Sequence, residues 1–315
     1  MALVLALAAT AAVSGLLAWA QARVLARARE ARRWRVEEEL RVAAREAARE
    51  ASWRVAADAD WEVDHPGEDW AREVRHATEY GAEVRAWAED GGRWVDWNNA
   101  GSAGQPGRDF REITRNLLAC CGQFETDGFV GALVDWVDAD EEGGKEKAWY
   151  ARAGMAWEPP NRPMWGAGEL RGVAGFDAAW YAKRDAEGAK DELFGGELGA
   201  GAVAVPADRE APFAVNVNTA GREALLAVAG VEHDALVRQA MALRAVRPFE
   251  STGALFAAHP EAAAALQGAL DVKSRCFRVR AEAVGEGGAR WRVNAWYERE
   301  DDGGVRCLQW AEGAG

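Results

Sequence analysis

The chain is 315 residues long, with 38 Lys or Arg against 51 Asp or Glu, a net charge of −13. That length leaves room for two or three modules and a sizeable core. The acidic balance disfavours nucleic acid as a partner, because phosphates must be met by Lys and Arg. Sixteen Trp against four Tyr supply large rigid anchors for packing, and the four Cys show no zinc-type C-x-x-C spacing.

Residues 1–60 carry an apolar run that flows without a break into a charged helix. From Ala2 to Ala20 there is no charged side chain. At about 1.5 Å per residue this stretch spans about 28 Å, close to the ~30 Å hydrocarbon core of a bilayer. No Pro, Gly or Asn stop signal follows, and Gln21–Ala57 is rich in the helix formers Ala, Arg, Glu and Leu. Val36, Leu40, Ala43, Ala47, Ala51 and Val55 recur at spacings of three and four, a narrow apolar stripe on a charged rod. The stretch reads as a membrane helix that continues as the spine of a soluble domain. A cleaved signal ending at Ala18-Trp19-Ala20 and a wholly cytoplasmic helix remain open alternatives. A signal would want basic residues ahead of the apolar core. The arginines at 23, 27, 29, 32, 33 and 35 follow the span and, taken alone, would hold the bulk of the protein in the cytoplasm.

Residues 58–80 are polar, with a turn at His65-Pro66-Gly67. Over Gly81–Asn99 the period changes to two on either side of Asp90-Gly91-Gly92, which predicts a β-hairpin. Residues 61–103 thus begin an α+β domain. From about 104 to 272 the pattern is helical, with short apolar segments at Ile113–Cys121, Val130–Val137 and Ala178–Lys183. Residues 184–211, Gly- and acid-rich, read as an exposed linker, and Val215–Gly268 holds short Ala/Leu-rich helices. Alternation returns in Cys276–Val284, Ala289–Glu298 and Val305–Trp310. Strands on both sides of a helical block imply one sheet with an insertion, because lone hairpins are marginal in water. Cys276 and Cys307 fall in two of these strands and could be bridged; Cys120 and Cys121 read as buried thiols.

Two stretches carry chemistry. Leu133–Glu146 runs an apolar helix end into Asp135, Asp138, Asp140, Glu141, Glu142 and Glu146 around Gly143 and Gly144. Oxygen ligands in a flexible loop suit Ca²⁺, although the twelfth position counted from Asp138 is Trp149 and not the bidentate Glu of an EF-hand. A solvated loop with Asp138 or Asp140 capping a helix is the alternative, and residue spacing alone leaves both open. The second stretch, 213–270, opens on Phe213–Ala220 with Asn218 or Thr219 as N-cap and Glu223 in the first turn. It looks like a helix-hairpin-helix module, but Gly230-Val231-Glu232 sets a carboxylate where a DNA phosphate would approach. A helical packing module is the better reading. His65, His76, His233 and His259 are scattered, and H-E-x-x-H, G-x-S-x-G and P-loop strings are absent, so no enzyme is expected.

In this order the pieces resemble the K-type minor pseudopilins of bacterial type II secretion, the general secretion pathway protein K family. Met1-Ala2-Leu3-Val4-Leu5 looks like a mature start after a cleaved prepilin leader. The Asp135–Asp140 string with Gly144-Lys145-Glu146 and Tyr150, then Arg162-Pro163, Glu169-Leu170-Arg171 and Val173–Phe176, track its acidic motif and following helix. Asn216-Val217-Asn218-Thr219-Ala220 is its most recognisable string. The resemblance implies a pilin-like α+β fold, a long N-terminal helix packed on an antiparallel sheet with a large all-α domain inserted between strands. It implies calcium at Asp135, Asp138, Asp140 and Glu146, with Glu169 as a second-site candidate, although Asn161–Gly168 lacks the Asp often placed there. It implies a structural role at the pseudopilus tip in complex with I- and J-type minor pseudopilins. The protein would then be single-pass in the inner membrane with its soluble domain in the periplasm, taking no nucleic acid and no small-molecule substrate. Leu5 replaces the glutamate usual at that place in pilins; a subunit with no neighbour beyond it can do without the buried charge. The alternative is an exported helix-hairpin-helix DNA-binding protein of a DNA-uptake apparatus.

Overall fold

The computed structural model describes residues 1–101, 110–120, 128–176, 202–203, 214–260, 263, 266, 268–300 and 303–314. The first element, α1 (Ala2–Ala56), is a single helix of 55 residues. Among the described residues it is the one helix long and apolar enough to cross a membrane, and its apolar window is wholly unburied. Side chains stay exposed through Arg35; burial begins at Leu40 and continues through Ala43, Ala44, Ala47, Ala48, Ala51, Ser52 and Val55. The expected stripe is therefore the packed face, widened by Ala44, Ala48 and Ser52. Small side chains there let the helix lie close against a sheet.

That sheet has five antiparallel strands in the order β1-β2-β7-β8-β9. They are β1 (Val74–Ala77), β2 (Glu83–Asp90), β7 (Cys276–Val284), β8 (Arg290–Arg299) and β9 (Val305–Ala314). Ala86 faces Ala281, which faces Val293; Ala88 faces Val279, which faces Ala295. With Phe277 and Tyr297 these residues close one core against the stripe of α1. The period-two alternation of β7 and β8 puts Val279, Ala281, Ala283, Val293 and Ala295 on this face, whereas Cys276, Trp296 and Leu308 cluster with Trp94.

Between β2 and β7 the chain builds a second core. Its helices are α2 (Phe110–Cys120), α3 (Phe129–Val137), α4 (Lys147–Ala153), α5 (Arg222–Ala229), α6 (Asp234–Val246) and α7 (Thr252–Ala258). Trp97, Leu133, Trp136, Tyr150, Leu170 and Leu225 lie at its centre. Two short parallel pairs stitch it: β3 (Val95–Asp96) with β4 (Ala202–Val203), and β5 (Val215–Asn216) with β6 (Leu270–Asp271).

The hairpin expected over Gly81–Asn99 does not form. Strand β2 pairs with β1 on one side and β7 on the other, while Val95–Asp96 joins the second core. Asp90-Gly91-Gly92 is no hairpin turn. Asp90 Oδ1 accepts from Gly92 N at 2.6 Å, and one turn of 3₁₀ helix over Gly91–Arg93 sends the chain out of the sheet. Gly91 is needed for close approach: a Cβ there would lie 2.7 Å from the Cys276 carbonyl oxygen. The actual hairpin turns at Thr78–Ala82, where Gly81 has φ +85° and Thr78 N donates to Ala82 O.

Two further expectations are corrected. Gly221, not Asn218 or Thr219, occupies the N-cap of α5, with Glu223 in the first turn as anticipated. Asn218 instead brackets Phe249, donating to its O at 3.0 Å and accepting from its N at 2.8 Å. Cys276 and Cys307 are not bridged to each other. Strand β8 lies between them, and two strand spacings of about 4.8 Å exceed the ~7 Å Cα reach of a disulfide. Cys121, Phe213, the Ala178–Lys183 segment and the 184–211 linker, save Ala202–Val203, lie outside the described residues.

Candidate metal centre

Helix α3 is apolar on nearly every side, so its last turn carries Asp135 into the second core, where it is buried. Its carboxylate takes a structural task. Asp135 Oδ2 accepts from Lys145 N at 2.6 Å and folds the loop back. Gly143 presses on the same carboxylate, so tightly that a Cβ would fall 2.3 Å from Asp135 Oδ1.

The loop so held gathers three other acids. One oxygen each from Asp138, Asp140 and Glu146 lie within 4.8 Å of one another. Asp138 closes the end of α3, and Glu146 stands at the start of α4 without making a side-chain cap. Asp140 Oδ1 accepts from Glu142 N at 2.7 Å. Neither aspartate caps a helix N-terminus, so that expectation falls. Asp138 Oδ1 and both carboxylate oxygens of Glu146 are buried with no hydrogen-bond partner. Burial first, then the neighbouring charges of Asp140 and Asp135, push the Asp138 carboxyl up to about 6. Burial and the charges of Asp135 and Asp138 raise Glu146 in the same way. Orphaned, mutually repelling carboxylates are an arrangement that a hard cation relieves.

Asn161 was not anticipated. It holds φ 49°, its amide donates to Asp140 O, and its Oδ1 is buried without a partner. The available signal was an Asn between prolines in Pro159-Pro160-Asn161-Arg162-Pro163, a turn-forming context. Glu169 stands apart from the trio: its Oε1 accepts from Trp165 N at 2.7 Å and from Arg162 Nη1 at 3.3 Å. Structure thus joins Asp138, Asp140 and Glu146, sets Asp135 beneath them, and leaves Glu169 paired elsewhere.

A second acid trio, Asp58, Asp64 and Glu68, is equally close-set. Here a buried guanidinium occupies the centre. Arg299 Nη1 meets Asp64 at 2.9 and 3.0 Å, and its Nη2 meets Asp58 at 3.0 Å. Glu68 accepts from His65 N and Trp70 Nε1. These acids are already answered. At the α5–α6 connection Asp234 pairs with Arg222 and Arg238.

Residues 96–184 match the family model described as type II secretion system (T2SS), protein K. No curated protein matches the sequence. Among solved structures the chain is similar to one in the crystal structure of the GspK–GspI–GspJ complex from the type 2 secretion system of enterotoxigenic Escherichia coli. Identity is 16 %, the alignment covers 91 % of this chain and 99 % of that one, and the TM-score is 0.68. That likeness establishes the fold, and the family match lies within the stretch that leaves the sheet after β2. Residues 96–184 are thus similar to protein K of the type II secretion system, and they sit in a chain whose overall fold is like that of the chain in this complex.

Proposed function

We propose that the protein is a structural, non-enzymatic subunit at the tip of the pseudopilus, and that it supports pseudopilus assembly and export across the outer membrane. In this reading α1 is anchored once in the inner membrane and the head lies in the periplasm. The α1-plus-sheet unit is a pilin-like domain, and the helical block between β2 and β7 is a domain inserted into it. The observation that carries the proposal is that block: it leaves after β2, returns at β7, and contains the stretch matching protein K. The similar GspK was crystallised with GspI and GspJ, and we carry that partnership over as I- and J-type neighbours. Co-purification tests it: the full chain should retain I- and J-type pseudopilins of its own system through size exclusion. Elution as a lone chain from an equimolar mixture would reject the partnership.

Asp138, Asp140 and Glu146 would hold Ca²⁺ in this reading, with Asp135 and Gly143 fixing the loop and Asn161 Oδ1 a buried neutral oxygen on a side chain bonded to Asp140 O. When bound, the cation supplies charge compensation to acids that otherwise repel. Chelator-treated protein should gain thermal stability on adding millimolar Ca²⁺, by about 2.7 kcal/mol at a hundredfold excess over Kd. An unchanged melting temperature would count against it.

A further inference from the structure

The arginines that follow the apolar run lie outside both hydrophobic cores. Arg23, Arg27, Arg29, Arg32, Arg33 and Arg35 occupy one stretch of α1 with Glu30 as the sole acid. All are exposed. Among the described residues only Arg32 meets a carboxylate, that of Glu286 at 3.1 Å, with both partners in solvent. The pattern then changes abruptly. Glu37, Glu38 and Glu39 follow, and further along the same helix Arg41, Arg45 and Arg54 are each paired, with Glu38, Glu312 and Glu50. In a chain of net charge −13 this is a concentrated, largely unpaired block of positive charge.

Its position decides what it fits. Arg23 stacks on Trp19, its guanidinium carbon 4.6 Å from the ring centroid. Trp19 is exposed and stands one residue before the apolar run ends, the level at which aromatic side chains settle at a membrane surface. At about 1.5 Å per residue, Arg23 and Arg27 lie roughly 5 and 11 Å beyond Ala20. Headgroups occupy roughly 5–7 Å on each side of the hydrocarbon, and arginine side chains reach several ångströms further. At about 100° per residue the six fall on all sides of the rod, not along one face. A stripe would suit a neighbouring helix; a ring suits a medium that surrounds the helix.

We propose that Trp19 and the arginines of residues 23–35 form a collar for anionic phospholipid headgroups in the leaflet facing the head. The proposal rests on the membrane-spanning reading of α1. Arg23, Arg27 and Arg29 carry most of the contact. Arg32, Arg33 and Arg35 lie further out, where the surface potential decays over a Debye length of about 8 Å. Charge and not fork geometry does the work, so lysine should serve as well as arginine.

The full chain in mild detergent, titrated with dioleoyl phosphatidylglycerol or dioleoyl phosphatidylcholine, should retain the anionic lipid at least about tenfold better, counted by native mass spectrometry. Retention should fall with added salt. The R23Q/R27Q/R29Q triple variant should bring the two lipids to parity, and R23K/R27K/R29K should restore the difference. Equal retention of both lipids by the unaltered chain, or undiminished preference in the glutamine variant, would overturn the collar. So would an arginine cluster that binds an acidic partner pseudopilin in detergent while ignoring lipid charge. Resistance to alkaline carbonate extraction from membranes is read separately: its loss brings down the membrane-spanning premise, whereas its persistence with no lipid preference refutes the collar alone.

Discussion

The side-chain amide of Asn216 donates to Asp90 Oδ2 at 3.0 Å, across 126 positions of sequence. The same nitrogen reaches Asp64 O and Ser274 Oγ, both at 3.0 Å, and the Thr219 hydroxyl donates to the same oxygen of Asp90. Asp90 ends β2, Ser274 precedes β7 and Asp64 follows α1, so one buried amide ties the exit from the sheet to the return. Asn216→Ala should destabilise the protein by about 2–3 kcal/mol, because the buried Asp90 carboxylate loses a hydrogen-bond donor. Urea unfolding measures it; a change under 0.5 kcal/mol would show that the amide is not the tie described.

The acidic loop proposed to hold calcium depends on Gly143, which presses on the Asp135 carboxylate. Gly143→Ala drives a methyl group into the Asp135 carboxylate and should break the Lys145 hydrogen bond that folds the loop back. Calcium affinity should fall at least tenfold by titration calorimetry. In contrast, Glu146→Gln should abolish binding yet leave the chelated protein as stable or more so, since it removes an orphaned, repelled charge. A large destabilisation of calcium-free Glu146→Gln would contradict this account.

Glu282 sets an acid limit. Burial alone would raise its pKa, but hydrogen bonds from Arg85 and Arg292 outweigh that effect and hold the carboxyl below the usual range. A folded-state pKa below the unfolded value of about 4.3 contributes stability that is present above that pH. It is lost as pH falls through the unfolded and then the folded value. Glu282→Gln should therefore be less stable at pH 7 and lose less than the parent between pH 5 and 3. Parallel denaturation curves at the two pH limits check it, and identical losses would refute it.

Close approach of α1 to the sheet rests on alanine. Ala44, Ala47 and Ala48 are wholly buried at 0 % exposure, and Ala47→Leu should cost about 1–3 kcal/mol by overpacking. Glu46→Leu, on the exposed side of the same turn, should stay within about 0.5 kcal/mol. Thermal melts of the pair distinguish packing from helix propensity.

Period was the most legible signal. The stripe from Leu40 to Val55 and the alternation of the last three strands put the helix, the sheet and their contact within reach of the sequence. Strand β1 was hidden because three of its four side chains, Arg75, His76 and Ala77, face solvent, leaving no alternation to read. Gly91-Gly92 mimicked a tight turn, whereas the backbone there is small because Cys276 and Ser274 press on it. Asn218 has the chemistry of an N-cap, and capping cannot be told locally from a bond made to Phe249, 31 positions away. Acid spacing found the loop but not the division of labour. Whether a carboxylate is answered by a distant arginine, as Asp64 is by Arg299, depends on packing that spacing does not encode.

A rod of 55 residues is roughly 80 Å long, and only its far portion is bolted to the sheet. No proline interrupts it, and Gly15 sits within the apolar run, well short of the head. In the membrane-spanning reading proposed above, a rotation or tilt of the apolar end would meet no proline before the helix reaches the sheet.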